Sequence, residues 1–316
     1  MRQIIAILFF ALAIVQAEPQ IGGMVRNYTA LLAKDNPEFA MLQNTFHLTF
    51  EQRGGKGALF ADIYAYQYGK DVVPELNMKQ LYVDLSLEKI DFRLGRQQII
   101  WGKADGVFIT DVVSPRDLRE FLLPDFTEIR QGIDGLNSSF YVSNHTFSLV
   151  LSPAFRPTVQ PEQGSIWRPE LSIPGGSFRL DTSMKDVAAE FDNSEAFFRW
   201  SAMLSAIDFE LVAAWMWDDD PALHLTKYGH PTSTGFVLDS AVVTPRHHRL
   251  GMGGGSFSTT HNGFVFKGEA GYYSQKRFRT ADPALSDGIT EGDYLHYMAG
   301  VSYTLLGVDL HTQFIQ

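Results

Sequence analysis

The stretch of this sequence that is most informative about chemistry follows a predicted strand that ends near Trp101. From residue 102 to residue 133, acidic and basic residues are interleaved with apolar ones such as Val107, Ile109 and Leu118. A solvated loop would not need these apolar anchors, so we expect this segment to fold back and pack. Facing acids and bases on a packed loop can select small solutes by charge and size. The candidate constriction residues, each predicted to filter solutes or to anchor the loop, are Arg93, Arg96, Trp101, Lys103, Asp105, Asp111, Arg116 and Asp117.

The same segment also fits a second interpretation, an ordinary structured loop whose charges only hold its shape. A buried arginine normally finds a carboxylate partner. Arg96 is therefore either a filter residue or an anchor that is ion-paired to the loop. Pro115 and Pro124 fix local turns and carry no chemistry of their own.

The elements that must position these charges are segments in which apolar and polar residues alternate, the pattern of a β-strand. In residues 42–51, for example, Leu42, Phe46 and Phe50 share one face and polar residues share the other. The predicted strands are residues 24–33, 40–53, 57–69, 78–87, 90–101, 134–142, 146–152, 195–205, 208–217, 246–258, 262–274, 293–304 and 307–316. Charged residues recur on the face opposite the large apolar side chains. Those predicted to face a lumen, besides Arg93, are Glu51, Asp84, Asp91, Arg199, Lys267 and Glu269.

The connections between these strands alternate in length. Short turns such as Glu88-Lys89 alternate with long connections at 102–133, 153–194 and 218–245. Short turns at one rim and long loops at the other are typical of an outer-membrane β-barrel. Two stacked sheets would also hide the apolar faces, but a soluble sandwich has shorter strands and no such asymmetry.

Composition excludes several classes of protein. Of the 316 residues, 45% are hydrophobic, which is enough for a core and excludes a disordered chain. The long apolar run from Ile4 to Val15 is too short to cross a bilayer as a helix. A formal net charge of -10 argues against binding to a nucleic-acid backbone. Because there is no cysteine, disulfides, zinc–thiolate sites and cysteine nucleophiles are excluded.

The first 17 residues have the pattern of a secretory signal peptide. Arg2 supplies the basic start, Ile4 to Val15 the apolar core, and Val15-Gln16-Ala17 the cleavage site before Glu18. A buried N-terminal helix is the alternative. Export combined with the absence of cysteine suits the cell envelope of a diderm bacterium.

One stretch resembles a known family. Residues 81–118, LYVDLSLEKIDFRLGRQQIIWGKADGVFITDVVSPRDL, are similar to the signature of an uncharacterised porin-like family of Gram-negative outer-membrane β-barrels. Its members share LGRQ-x-I-x-WG followed by D-x-x-x-P-x-D-L. The resemblance implies an outer-membrane barrel with solute passage, and it implies no particular substrate.

Two features depart from the pattern of such barrels. They usually end in a strand with a terminal aromatic residue, whereas this chain ends at Gln316, two residues after Phe314. The thirteen candidate strands are an odd number, whereas bacterial single-chain barrels have even numbers. Either the count is wrong or the barrel is incomplete at its C-terminal end.

Signals for an enzyme or a bound metal are weak. No G-x-S-x-G is present. His247 and His248 are adjacent, and neighbours on a strand point to opposite faces. His296 and His311 could share a lumen as polar lining residues. The acidic run 218–220 could attract Ca²⁺ or be a solvated loop. The glycine-rich run 251–255 lacks the Lys-Ser/Thr of a phosphate loop and is interpreted as a close-packed strand.

These observations predict an all-β fold, an antiparallel transmembrane β-barrel of about 12–16 strands with an inward-folded loop. Residues 18–316 would form one barrel domain, incomplete if the odd count holds, with residues 102–133 as the constriction or plug loop. The predicted function is a porin in the cell outer membrane, with passive diffusion of small solutes through a polar lumen narrowed by residues 103–133.

The predicted partners are outer-membrane lipid and small solutes, with further copies of the chain or export proteins as additional candidates. No nucleic acid, cofactor, metal or catalytic residue is expected. The alternative is a non-conducting outer-membrane barrel in a lipid or polymer export system. A third hypothesis is a barrel enzyme that acts on lipids.

Overall fold

The computed structural model describes residues 18–33, 38–69, 74–121, 123–161, 165–168, 177–233, 235–280, 282 and 285–316. The predicted signal peptide, residues 1–17, lies outside the described residues. The chain forms two compact units. Unit 1 consists of Met1–Ile99, Asp117–Val142 and Gln160–Arg168, and unit 2 of Ile100–Arg116, Ser143–Val159 and Pro169–Gln316.

Thirteen strands belong to one antiparallel sheet, so the predicted all-β antiparallel fold is confirmed. The strands of this sheet in unit 1 are β1 (Gln20–Leu32), β2 (Glu38–Gly54), β3 (Gly57–Tyr68), β4 (Glu75–Ser86), β5 (Ile90–Gln97) and β6 (Ile133–Val142). Those in unit 2 are β7 (His145–Ser152), β9 (Glu195–Met203), β10 (Ile207–Trp217), β13 (Arg249–His261), β14 (Phe264–Arg279), β15 (Ile289–Leu305) and β16 (Val308–Ile315). Among the described residues β1 and β16 are its two edges, so the sheet is not closed.

The long predicted loops at 153–194 and 218–245 contain a second sheet, which corrects the sequence-based assignment. Its strands are β8 (Ser177–Leu180), β11 (Ala222–Thr232) and β12 (Gly235–Arg246), and β8 pairs with β12 in parallel. These strands escaped prediction because polar residues and Pro231 interrupt the alternation in β11, and because β8 is only four residues long.

The alternation predicted for the main sheet is present, and it defines a buried and an exposed face. In β2, Gln43 and Thr45 are fully buried, whereas Phe46 and Leu48 are each 49% exposed. In β10, Val212 is buried and Trp215 is half-exposed. A water-soluble sheet places its large apolar side chains inward. Here Phe46, Leu48 and Trp215 stand on the exposed face.

Short hairpin connections have the backbone conformation that tight antiparallel turns require. Asn262 and Gly263, between β13 and β14, have φ of 49° and 81°, and Leu306 and Gly307, between β15 and β16, have φ of 54° and 80°. Two successive positive φ values are the mark of a type I′ turn, whose twist matches that of paired strands. The connections between β5 and β6 and between β14 and β15 are longer, as predicted.

The strand β5 ends earlier than predicted. It stops at Gln97, whereas the apolar run that follows was assigned to the same strand. The N–H of Gln98 donates to Oε1 of Gln80 at 3.1 Å, which takes the chain out of the backbone ladder. Among the described residues the one helical element is a 3₁₀ turn, Phe191–Asn193, and no helix there is long and apolar enough to cross a membrane.

Candidate functional site

The candidate site is the connection between β5 and β6, residues 98–132, here called the β5–β6 segment. Its described residues form turns and irregular structure. Ile109 is fully buried, and Val113 and Ile129 are nearly so. Ile109 and Val113 are therefore packed as predicted, whereas Phe121 and Leu123 of the same segment are 45% and 41% exposed. The segment contributes residues 100–116 to unit 2 and residues 117–132 to unit 1.

In unit 2 the segment is held by one carboxylate. Glu269 of β14 is 4% exposed. Its Oε2 accepts the backbone N–H of Lys103 at 2.5 Å and that of Ala104 at 2.8 Å. Its Oε1 accepts the N–H and the hydroxyl of Thr110 at 2.7 and 2.8 Å. A buried carboxylate with this many donors is well compensated for leaving water, so Glu269 closes residues 103–110 into a compact turn.

Glycine residues make the close approach possible. Gly102 has a φ of 82°, and a Cβ there would lie 2.5 Å from Oε1 of Glu269. A Cβ on Gly254 would lie 3.0 Å from Cγ2 of Thr110, and one on Gly271 would lie 2.9 Å from the carbonyl oxygen of Ile109. Gly254 of β13 and Gly271 of β14 thus belong to a surface that packs against the β5–β6 segment.

Two further polar contacts fix this half of the segment. The hydroxyl of Tyr273 donates to the carbonyl of Ile109 at 2.5 Å. The backbone N–H of Trp101 donates to Oδ1 of Asp111 at 3.0 Å, and both side chains are buried. Asp111 is therefore a loop anchor. Trp101 was predicted to line the constriction, but it is buried with its ring 6.4 Å from that of Phe197, so it lines no open space.

Accessible charges in the same half form two ion pairs. Nζ of Lys267 lies 3.0 Å from Oδ2 of Asp105, whose side chain is 67% exposed. Arg116 pairs with Asp220 at 2.7 Å. Both pairs join the segment to other elements of unit 2 and leave charge of both signs in contact with water. The side chain of Lys103 is half-exposed.

In unit 1 the segment is held by cations on strands. Arg26 of β1 makes a two-pronged ion pair with Glu128, with N–O distances of 2.8 and 2.6 Å. Lys79 of β4 is buried and donates to the backbone carbonyl of Glu128. Arg119 pairs with Asp117 at 2.8 Å and with Glu75 of β4 at 2.7 Å. A planar guanidinium can satisfy two carboxylates at once, so Arg119 ties the segment to the strand.

One carboxyl in this half has no partner for one of its oxygens. Glu120 is 9% exposed, and its buried Oε1 has no hydrogen-bond partner among the described residues. Burial, and then the negative charges of Asp117 and Glu128, raise the pKa of Glu120 to about 7. The carboxyl borders a small cavity of about 20 Å³. The cavity is lined by Tyr66, Tyr68, Lys79, Asp117, Arg119, Glu120, Pro124 and Glu128.

The predicted strand residues pair locally. Arg93 forms a two-pronged ion pair with Asp84 at 2.7 and 2.9 Å and lies 3.9 Å above the ring centre of Tyr82. Oδ2 of Asp91 accepts the hydroxyl of Tyr141 at 2.8 Å. Arg93 and Asp91 share one face of β5, as predicted, because they are two positions apart.

Arg96 corrects the prediction. It is three positions from Arg93 and therefore points to the other face. The strand register places it beside Leu81, which is exposed. Its guanidinium pairs with Asp134 at the start of β6, with two distances of 2.8 Å. It links the neighbouring strands β5 and β6, and a Cβ on Gly132 of the segment would lie 2.8 Å from its Cγ.

The remaining predicted residues are dispersed. Glu51 pairs with the exposed Arg53 two positions away. Arg199 lies 3.9 Å from Glu210 and 5.6 Å from the ring centre of Trp101. Within unit 2 the segment therefore meets Arg199, Lys267 and Glu269 among the predicted lumen residues. The predicted residues of unit 1 other than Asp117 pair with one another or with their strand neighbours.

Sequence reasoning missed two strand residues that hold the segment, Arg26 and Lys79, and two residues of the segment itself, Glu120 and Glu128. The first two lie in strands where one charged residue among polar neighbours looks ordinary. One signal was available, because Tyr64, Tyr66 and Tyr68 alternate along β3 and their rings stack at 5.6 and 6.1 Å. Such a row indicates a packed face.

Comparison with known proteins places the chain in context. The profile of one family, described as "Protein of unknown function (DUF1302)", matches residues 43–314. No curated protein matches the chain. Among solved structures, Pseudomonas aeruginosa OccK2 (OpdF) in complex with glucuronate matches with a TM-score of 0.47 and 10% identity over 94% of this chain and 65% of that one.

Two further structures are similar. Pseudomonas aeruginosa OccD3 (OpdP) matches with a TM-score of 0.42 and 8% identity over 90% of this chain and 53% of that one. A BenF-like porin from Pseudomonas fluorescens Pf-5 matches with a TM-score of 0.38 and 12% identity over 94% of this chain and 82% of that one. The chain spans less than two thirds of the length of either Pseudomonas aeruginosa protein.

Proposed function

Because the chain belongs to this family of unknown function, whose description assigns no activity, we propose a function from the arrangement of its own residues. The protein is an outer-membrane channel, and small solutes diffuse passively through a polar lumen narrowed by the β5–β6 segment. The observation that supports this function most strongly is the distribution of side chains on the two faces of the main sheet. Large apolar side chains cover its exposed face, and a segment with charges of both signs is pinned to its buried face.

The exposed face supports a membrane location. Its half-exposed apolar side chains recur on strand after strand in both units. They include Phe46, Leu48, Leu94, Leu149, Leu151, Phe198, Leu211, Trp215, Phe257, Phe266 and Leu295. Some are direct neighbours across the ladder, as Leu149 and Phe198 are. Soluble monomers rarely expose contiguous apolar surface of this extent, whereas strands in contact with lipid present it. The proposed signal peptide supplies the route of export.

The β5–β6 segment supports selective passage. Glu269 in unit 2 and the Arg26–Glu128 pair in unit 1 hold its backbone in place. Asp105, Lys267, Arg116 and Asp220 leave charge accessible on it. A fixed segment with accessible charges of both signs sets the electrostatic barrier for ions and polar solutes. A mobile loop would not keep its charges at fixed positions and would therefore set no defined electrostatic barrier.

The test is ion conductance of the full-length product purified from outer membranes. Barrel closure is checked first by the difference in gel migration between unboiled and boiled samples in SDS. We expect stepwise conductance in planar bilayers, with a reversal potential that changes when Lys267→Glu alters an accessible charge. Arg53→Glu is the matched control, because Arg53 is exposed and lies beside the β2–β3 turn. A heat-modifiable protein that never conducts would favour the non-conducting export component instead.

A further inference from the structure

Two histidine side chains from different elements of unit 2 meet outside the β5–β6 segment. His224 is the third residue of β11, and His248 lies in the connection between β12 and β13. Their Nε2 atoms are 2.9 Å apart, and their ring centres are 5.1 Å apart. The other ring nitrogen of His224, Nδ1, lies 3.0 Å from Oδ2 of Asp287. The three side chains form a chain of contacts from carboxylate to imidazole to imidazole.

We propose that His224 and His248 form a binding site for a divalent transition-metal ion of the Zn²⁺ or Cu²⁺ class, with Asp287 orienting the first imidazole. Imidazole nitrogen suits these ions. Histidine ligands characteristically donate their second ring N–H to a carboxylate, which fixes the tautomer and leaves the other nitrogen free to bind. Asp287 stands where that carboxylate is required. The inference is independent of the proposed channel function.

The distance between the two nitrogens is close to what an ion needs. Zinc–nitrogen bonds of about 2.0–2.1 Å in a tetrahedral site separate two ligand nitrogens by roughly 3.3 Å. Widening the present 2.9 Å by a few tenths of an ångström requires only small rotations of the two rings. Both side chains are partly exposed, so an ion can reach them.

The backbone holds all three groups in place without the ion. The carbonyl of His248 accepts the N–H of Asp218 at 2.8 Å. The carbonyl of Asp287 accepts the N–H of Leu225, the residue after His224, also at 2.8 Å. The three segments are therefore preorganised, and binding costs little ordering of the chain.

The electrostatic surroundings allow the site and limit its affinity. Arg246 and Arg277 lie near His248 and disfavour a bound cation, whereas the carboxylate of Asp218 favours it. Arg277 is itself paired with Glu291. In the described part of the chain, no three metal-binding side chains converge. The site therefore offers two protein nitrogens, and its other coordination positions belong to water or to a donor group of a solute.

The experiment uses the full-length protein purified without a polyhistidine tag. Zn²⁺ is titrated in competition with a chromophoric chelator. We expect one equivalent per chain in the wild type, loss of that equivalent in His224→Ala and His248→Ala, and about tenfold weaker binding in Asp287→Asn. His230→Ala is the matched control, because His230 lies on the same strand, faces Asp239 at 3.1 Å and is exposed. This variant should bind as the wild type does.

A second measurement does not depend on the variants folding. The wild type loaded with one equivalent of Cu²⁺ should give an electron paramagnetic resonance spectrum with hyperfine coupling to two imidazole nitrogens. Absence of stoichiometric binding, coupling to a single nitrogen, or equal loss of binding in His230→Ala would overturn the proposal. In each of those cases the pair is a hydrogen bond between two histidines and no more.

Discussion

Thr110 donates two hydrogen bonds to Glu269, one from its backbone N–H at 2.7 Å and one from its hydroxyl at 2.8 Å, across a separation of 159 positions in the chain. Both residues are almost completely buried. This contact defines how the β5–β6 segment sits on unit 2, because the same carboxylate also accepts the N–H groups of Lys103 and Ala104.

Removing the carboxylate should release the segment. Glu269→Ala leaves three backbone donors and a hydroxyl without their acceptor, and we expect a loss of about 2–4 kcal/mol in the free energy of unfolding. It should also bring new protease cleavage near residues 103–110. Thermal unfolding and limited proteolysis of the detergent-solubilised protein measure both effects. Glu51→Ala, which loses only a pair with the exposed Arg53, serves as control. Equal behaviour of the two variants would show that Glu269 does not hold the segment.

Adjacent glycines of β13 should respond very differently to the same added methyl group. A Cβ on Gly254 would lie 2.5 Å from the carbonyl oxygen of Ala270 and 3.0 Å from Thr110, whereas one on Gly253 has nothing within 4 Å. Gly254→Ala should cost about 1–3 kcal/mol through overpacking. Gly253→Ala should cost nothing or stabilise slightly, because it removes freedom from the unfolded chain. The melting temperatures of the two variants measure this difference in stability. A Gly254→Ala variant as stable as Gly253→Ala would contradict the packing described.

The stability of the protein should fall between about pH 4.5 and pH 7 because of Glu120. Its pKa rises from 4.5 to about 7 on folding, so the folded state binds the proton more tightly than the unfolded state does. Stability from this group is complete below the unfolded pKa and is lost as the pH rises through the folded pKa.

Glu120→Gln removes that dependence. We expect the variant to be more stable than the wild type above pH 7, by of order 1–3 kcal/mol, and to show a flatter profile. Denaturant unfolding at a series of pH values measures the difference. Glu88→Gln in the exposed β4–β5 connection is the control and should follow the wild type. Parallel profiles for the wild type and Glu120→Gln would refute the assignment.

Charge reversal of Arg116 should change the ion selectivity of the channel. Arg116→Glu places two carboxylates together, because Arg116 now pairs with Asp220 at 2.7 Å. The reversal potential across a salt gradient should shift towards cations. The exchange Arg116→Asp with Asp220→Arg restores the pair, and it separates the effect of charge position from that of loop distortion. An unchanged reversal potential in Arg116→Glu would exclude Arg116 from the filter.

Much of the main sheet could be predicted from alternation alone. A strand with one apolar face and one polar face has apolar and polar residues at alternate positions of its sequence. Residues 42–51 and 208–217 are examples, and both fall within strands. The strands β8, β11 and β12 could not be predicted in this way, since β8 is only four residues long and polar residues interrupt the apolar faces of β11 and β12. The end of β5 was misplaced because an apolar run fits a strand and a buried loop equally well.

The candidate site was predictable in location but not in its contacts. The mixture of charges and apolar anchors marked the β5–β6 segment, while the side chains that hold it lie far away in the sequence. Arg26 is 102 positions from Glu128, and Glu269 is 166 positions from Lys103. Spacing within one segment carries no information on partners at such distances. The two-position rule placed Arg93 and Asp91 together, and the odd spacing to Arg96 should have excluded it.

The distance along the chain between Thr110 and its acceptor also sets a sequence of events in assembly. The chain is synthesised from its N-terminus, so the segment is made long before β14 is. Contacts between residues far apart in the chain form late, because bringing them together first costs the conformational entropy of the intervening residues. We therefore expect residues 103–110 to dock late in folding. Until β14 is present, the N–H groups of Lys103, Ala104 and Thr110 lack the carboxylate that accepts them in the folded protein.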